Sequence, residues 1–149
     1  MSNMNDLQCK MPLTQIPPSN LWENVHIPAR FFENRHCSVV AMNCALKDCG
    51  KIDNDLTDLS DIVKIDENGY LSIANMDKVV KHFFLNAKKR YFGKKDRISL
   101  FSHHWYYDTF ANKKAIVCVK GHYIYISNNN YYSYFNNSND LVVAIWFLN

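Results

Sequence analysis

Two residues of this chain have the types and surroundings that thiol chemistry requires. Cys37 heads the apolar run Cys-Ser-Val-Val-Ala-Met-Asn-Cys-Ala-Leu, residues 37–46, and His122 opens the run His-Tyr-Ile-Tyr-Ile, residues 122–126. A free thiol, with a pKa near ~8.5, is a weak nucleophile at neutral pH, but a helix N-terminus and a nearby imidazolium together lower that value to ~3.5–7.5. The first run predicts a helix with Cys37 at its positive end, and the second predicts a strand that carries an imidazole. A thiol, a base and a third polar group that orients the base make a centre for covalent acyl transfer.

The third group is expected near the end of the next strand. The run Tyr131-Tyr-Ser-Tyr-Phe-Asn-Asn-Ser-Asn-Asp140 closes in amides, and Asn136, Asn137 and Asp140 all have a suitable side chain. Period-two alternation puts Tyr132, Tyr134 and Asn136 on one face, and Asn136 is the favoured choice.

These residues need elements to hold them. Residues 1–30 contain all four prolines (Pro12, Pro17, Pro18, Pro28) and read as an extended arm that packs through Leu21, Trp22 and Ile27. Residues 31–149 then form one domain. Its first helix, from Cys37, is apolar at Val39, Val40, Ala41, Cys44, Ala45 and Leu46 and stops at Asp48-Cys49-Gly50. A second short helix is expected over 55–64, with Leu56, Leu59, Ile62 and Val63 on one face. Asp66-Glu-Asn-Gly69 is a turn, and Ser72 caps a third helix through about Leu85, with Ile73, Met76, Val79, Val80, Phe83 and Phe84 inward. Strands are expected at 97–101, 115–119, 122–126, 131–135 and 142–148, with a hairpin turn at Ser127-Asn-Asn-Asn130. Helices followed by strands predict an α+β domain, its N-terminal helices packed on a C-terminal antiparallel sheet.

Composition narrows the functional classes. At 149 residues, 48% hydrophobic and 14% aromatic, the chain is one domain able to bury a core, and a net charge of +3 is mild. Its only dense basic cluster, Lys88-Lys89-Arg90 with Lys94, Lys95 and Arg97, reads as a solvated loop, and a nucleic-acid partner is not expected. Five cysteines, an odd number, and an N-terminus without a leader-like apolar stretch favour free thiols in a reducing, cytoplasmic setting. The longest apolar run, Leu141 to Leu148, is far short of the ~20 residues that cross a bilayer. Cys44, Cys49 and Cys118 read as core or surface thiols. His36 lies beside the nucleophile and can line the cleft. His103-His104, read as strand neighbours, point opposite ways and complete no metal-ligand set, and neither a metal nor a cofactor is expected.

The order of these segments resembles that of the Josephin deubiquitinases, papain-like cysteine proteases. Cys37 with Met42, Asn43 and Leu46 is similar to that family's Cys-headed helix, Asp58-Leu-Ser-Asp-Ile62 to its short second helix, and Glu67-Asn-Gly-Tyr-Leu-Ser-Ile73 with the helix to Phe84 to its Gly-aromatic-Ser-Ile signature. Ala115-Ile-Val-Cys-Val-Lys-Gly-His122-Tyr-Ile resembles the strand and turn before the catalytic histidine, and Tyr132-Ser-Tyr-Phe-Asn136 the strand that delivers the asparagine. The similarity covers roughly residues 33 to 140 and also fits bacteriocin-processing-type papain-like peptidases. It implies a papain-like fold, a Cys37-His122-Asn136 triad, and ubiquitin or a ubiquitin-like protein as partner. Two departures stand out. The residues before Cys37, Phe31-Phe-Glu-Asn-Arg-His36, lack the family's oxyanion glutamine, for which the Asn34 amide is the available substitute. The stretch between the second and third helices is also shorter than the family's helical hairpin. The missing glutamine motivates an alternative, a catalytically inactive domain that binds ubiquitin or another protein.

Overall fold

In the computed structural model, which describes residues 37–52, 57–64, 71–100, 102–120, 122–127, 130–132 and 141–149, the run that begins at Cys37 is the helix α1, Cys37–Asp48. Its first ten residues, Cys37 through Leu46, are all buried. A helix that is apolar on every side has to run through the interior rather than lie on a surface. α1 ends in a Schellman arrangement: Lys51 N–H donates to Leu46 O at 2.8 Å and Gly50 N–H to Lys47 O at 3.1 Å, with Gly50 at φ +69°. Glycine takes that left-handed conformation without the Cβ clash another residue would meet, so the stop expected at Gly50 is where the helix stops.

Asn43, buried in the middle of α1, locks the helix to the following segment. Its Nδ2 donates to Val39 O at 2.8 Å and to Thr57 O at 2.7 Å, and its Oδ1 accepts from Thr57 N–H at 3.0 Å. The described part of the expected second helix, residues 57–64, is a turn instead. Thr57 Oγ1 accepts from Leu59 N–H and Asp58 Oδ1 from Ser60 N–H, while Leu59 sits at φ +69°. These local side-chain bonds supply what a helical ladder would otherwise give, and the positive φ breaks the helical path. Leu59 and Val63 still enter the core.

α2, Ile73–Phe83, follows its sequence pattern closely. Ser72 caps it by accepting from Asn75 N–H at 3.1 Å, and Met76, Val79 and Val80 are buried. It ends at Phe83, with Phe84 buried and Leu85 exposed.

Among the described residues five strands make one sheet: β1 Lys88–Tyr91, β2 Lys114–Val119, β3 His122–Ser127, β4 Asn130–Tyr132 and β5 Val142–Phe147, in the order β1-β5-β2-β3-β4 with every neighbour antiparallel. β2, β3 and β5 lie where their β-branched and aromatic runs predict. The described part of the fourth strand, 130–132, pairs with β3 from Ser127↔Asn130 to Tyr125↔Tyr132, the register of the expected hairpin, whose residues 128 and 129 lie outside the described residues. Three expectations are corrected. The basic run at 88–91 is a strand, not a loop, because it pairs with β5 from Lys88↔Phe147 to Tyr91↔Ala144. The strand expected over 97–101 reduces, in its described residues, to one bridge, Ser99↔Leu141. His103-His104 belong to a helix, α3, His103–Phe110, which separates β1 from β2. Helices and strands therefore alternate from α2 to β2.

The sheet is covered on both faces, which is why its central strands are apolar without alternation. Ile116, Cys118, Tyr123, Tyr125, Ala144 and Trp146 face α1 and α2. Val117, Val119, Ile124, Ile126 and Ile145 form a second core with Tyr106 and Phe110 of α3. The β2–β5 register slips between Cys118↔Ala144 and Val119↔Val142, so Val143 is an extra residue. This bulge returns Val142 to the α3 face beside Val119, while Val143 joins the α1 side.

Asn43→Ala would strip Thr57 of its donor and acceptor partner. The expected loss is about 2–4 kcal/mol of unfolding free energy in a urea titration. A loss within ~0.5 kcal/mol would show that this clamp does not hold the segment.

Candidate functional site

Cys37 sits at the first turn of α1, where backbone N–H groups have no partner within the helix. Burial pushes its thiol above the ordinary value; the amides of Tyr123, Ser38 and Cys37 itself pull it the other way without overcoming burial. The amide of Tyr123 matters most for the architecture. Tyr123 is the residue after His122, so the head of α1 and the start of β3 converge on the sulfur, and α1 packs along β3. Tyr123 is itself tied down, its hydroxyl donating to Leu71 O at 2.7 Å.

His122 is 2% exposed and opens β3 opposite Val119 of β2. Burial lowers its pKa from 6.5 to about 4, so the ring is neutral at pH 7. Regular alternation would give His122 the parity of Ile124 and Ile126, which belong to the α3 side of the sheet. As the first residue of the strand, it is held to that alternation from one side only. The resting state is a protonated thiol beside a segment carrying a neutral imidazole. It is not a preformed thiolate–imidazolium pair.

Cys118 is a neighbour that the sequence did not single out for the site. It pairs with Tyr123 across β2 and β3 and shares the core of Cys37. Burial lifts its thiol to about 12, and the proximity of Cys37 adds to the rise while Tyr123 and Arg97 oppose it. Its Sγ donates to Val119 O at 3.4 Å. The signal in the sequence was the short connection at Lys120-Gly121, which fixes the register and hence the cross-strand partner of Tyr123. Cys37, Cys44, Cys49 and Cys118 are all free thiols.

The far end of α1 is fastened to the same two strands. Tyr125 donates to Asp48 Oδ2 at 2.5 Å and Lys114 Nζ lies 3.2 Å from that oxygen. Burial raises the Asp48 carboxyl, but hydrogen bonds from Tyr125 and Ser127 and the Lys114 charge outweigh it and hold the group below its ordinary value. With both ends of α1 fixed on β3, the position of Cys37 along the sheet is set by the fold.

Asn34, His36, Asn136, Asn137 and Asp140 lie outside the described residues, as do the arm at 1–30 and Cys9. The structure thus brings together the Cys37 and His122 segments and describes neither the orienting nor the oxyanion candidate. His104 is exposed on α3, and among the described residues no three His, Cys, Asp or Glu side chains group to hold a metal. No described helix is long and apolar enough to cross a membrane. A scan against protein-family models and searches of curated proteins and of solved structures found no match to this chain.

Two measurements follow from the electrostatics. The unfolded chain protonates His122 near 6.5 and the folded chain only near 4. Between these values protons favour the unfolded state, so stability falls as pH drops from 6.5 and the loss is complete near 4. The contribution is on the order of 3 kcal/mol. In urea titrations across that window the wild type should lose about this much more than His122→Gln; parallel curves would contradict a buried neutral ring. Separately, iodoacetamide at pH 7 should alkylate Cys37 more slowly than free cysteine, read by peptide mass spectrometry. A faster reaction would reveal a resting thiolate.

Proposed function

We propose that this chain is a papain-like, Josephin-like cysteine peptidase or isopeptidase that cleaves conjugates of ubiquitin or a ubiquitin-like protein in a reducing compartment. One observation carries the proposal: Cys37 heads a buried helix that packs along β3 and shares a core with Tyr123, the residue after His122. That is the chain segment that carries the proposed general base. The order of motifs along the sequence supports the papain-like fold and the choice of substrate.

In this mechanism the backbone at the start of β3 shifts so that the His122 ring comes to the α1 face, and the ring takes the thiol proton as Sγ attacks the substrate carbonyl carbon. Because the resting pair is neutral, proton transfer accompanies attack. The carbonyl oxygen becomes an anion held by the Cys37 N–H and the Asn34 side-chain amide. Collapse of this intermediate returns the proton from His122 to the departing amine and leaves a thioester on Cys37. Water, deprotonated by His122, then releases the acid and the thiol. Asn136 orients the ring throughout. Asn34 substitutes for the family's missing glutamine in this reading, and loss of one oxyanion donor costs about 10²–10³ in rate.

The burial of both groups favours a second reading, an inactive domain that keeps the fold to bind a protein partner. Labelling with a ubiquitin propargylamide probe separates the two. The peptidase predicts an adduct on Cys37, absent in Cys37→Ala and reduced at least ~100-fold in rate in His122→Ala. No adduct from the wild type, or one that survives Cys37→Ala, contradicts it. Ubiquitin binding without labelling, unchanged by Cys37→Ala, is the signature of the binding domain.

A further inference from the structure

We propose that the outer edge of β1 takes up an extended acidic peptide segment of a partner protein as an added strand. The inference is independent of the thiol site. Among the described residues β1 ends the strand order and pairs with β5 on one side, and all four of its residues are exposed. An edge strand presents backbone N–H and C=O groups at the spacing of another peptide. The strand is also fixed in its extended form. Lys89 Nζ lies 2.9 Å from Asp77 of α2 and 5.7 Å from the centre of the Trp146 ring, while the Arg90 guanidinium sits 4.6 Å above Phe92. An incoming chain therefore meets an ordered template.

Charge selects the occupant. Residues 88–95, Lys-Lys-Arg-Tyr-Phe-Gly-Lys-Lys, carry five positive side chains and no acid, and Lys88, Lys94 and Lys95 are exposed. Basic edges repel one another, so a second copy of this edge is disfavoured and a strand bearing carboxylates is favoured. Two large apolar side chains flank the edge, Leu85 at 75% exposure and Tyr91 at 58%. Alternation sets Lys88 and Arg90 on one face and Lys89 and Tyr91 on the other. The matching segment alternates acidic with apolar residues. A nucleic acid would engage the charges without using the backbone edge.

The probe is a fluorescent Gly-Glu-Val-Glu-Val-Glu-Gly peptide titrated by anisotropy, beside two versions N-methylated on the glutamates or on the valines. A strand pairs through one edge, so one methylated version should bind at least ~10-fold more weakly and the other like the parent. Lys88→Glu/Arg90→Glu should weaken the parent peptide similarly, as should Lys94→Glu/Lys95→Glu outside the strand ladder. Hydrogen exchange should show new protection within 88–91 on binding. Absence of binding, equal binding of all three peptides, unprotected β1 amides, or tighter and steeply salt-dependent binding of oligothymidylate would each overturn the proposal.

Discussion

The burial of α1 is the constraint on which the rest of the structure depends. From Cys37 to Leu46 the helix has no solvent face, so neighbours must cover it all round: β2 and β3 on one side, α2, Leu59, Val63 and Leu71 elsewhere. Asn43, a buried polar residue within this stretch, turns that requirement into a fixed arrangement by clamping Thr57. Asp48 and Tyr125 fix the lower end, and the Tyr123 amide meets the upper end at the thiol. Cys37 is consequently placed by the core and not by a loop.

The same burial governs the chemistry. At Cys37, amides that favour a thiolate compete with desolvation, and desolvation wins; at His122 desolvation alone sets the direction. Both groups are neutral at rest, so the proposed peptidase chemistry would have to gain its driving force when substrate arrives, as the carbonyl oxygen acquires charge. The sheet contributes rigidity, with a core on each face and the Val143 bulge matching β5 to both.

Much of this was legible in the sequence where local pattern and tertiary environment agree. α2 carries both its Ser72 cap and a helical apolar stripe; α1 has a Gly50 stop; β2 and β5 are apolar runs that suit a sheet covered on both sides. Where the two disagree, the sequence misled. Lys88-Lys89-Arg90-Tyr91 has the composition of a loop and is a strand through pairing with β5 and the hold of Asp77 and Trp146 on Lys89. His103–Phe110 is rich in strand-favouring aromatics, yet Tyr106 and Phe110, four apart, pack their rings 5.4 Å apart against the second core, and only a helix puts both there. At 57–64 the hydroxyl and carboxylate side chains of Thr57 and Asp58 capture backbone amides that the apolar spacing assigned to a helix. The order of motifs pointed to Cys37 and His122, and the structure puts Cys37 in one core with Tyr123, the residue after His122. The proximity of Cys118 follows from strand register, which composition does not encode.

The central claim is that thiol and imidazole form one site. It is tested most directly by following the His122 ring resonances by NMR before and after Cys37 is blocked with methyl methanethiosulfonate. The account predicts that the ring signals move on blocking and that, before it, they show no protonation until pH falls toward about 4. Ring signals indifferent to Cys37, or a ring titrating near 6.5, would contradict it.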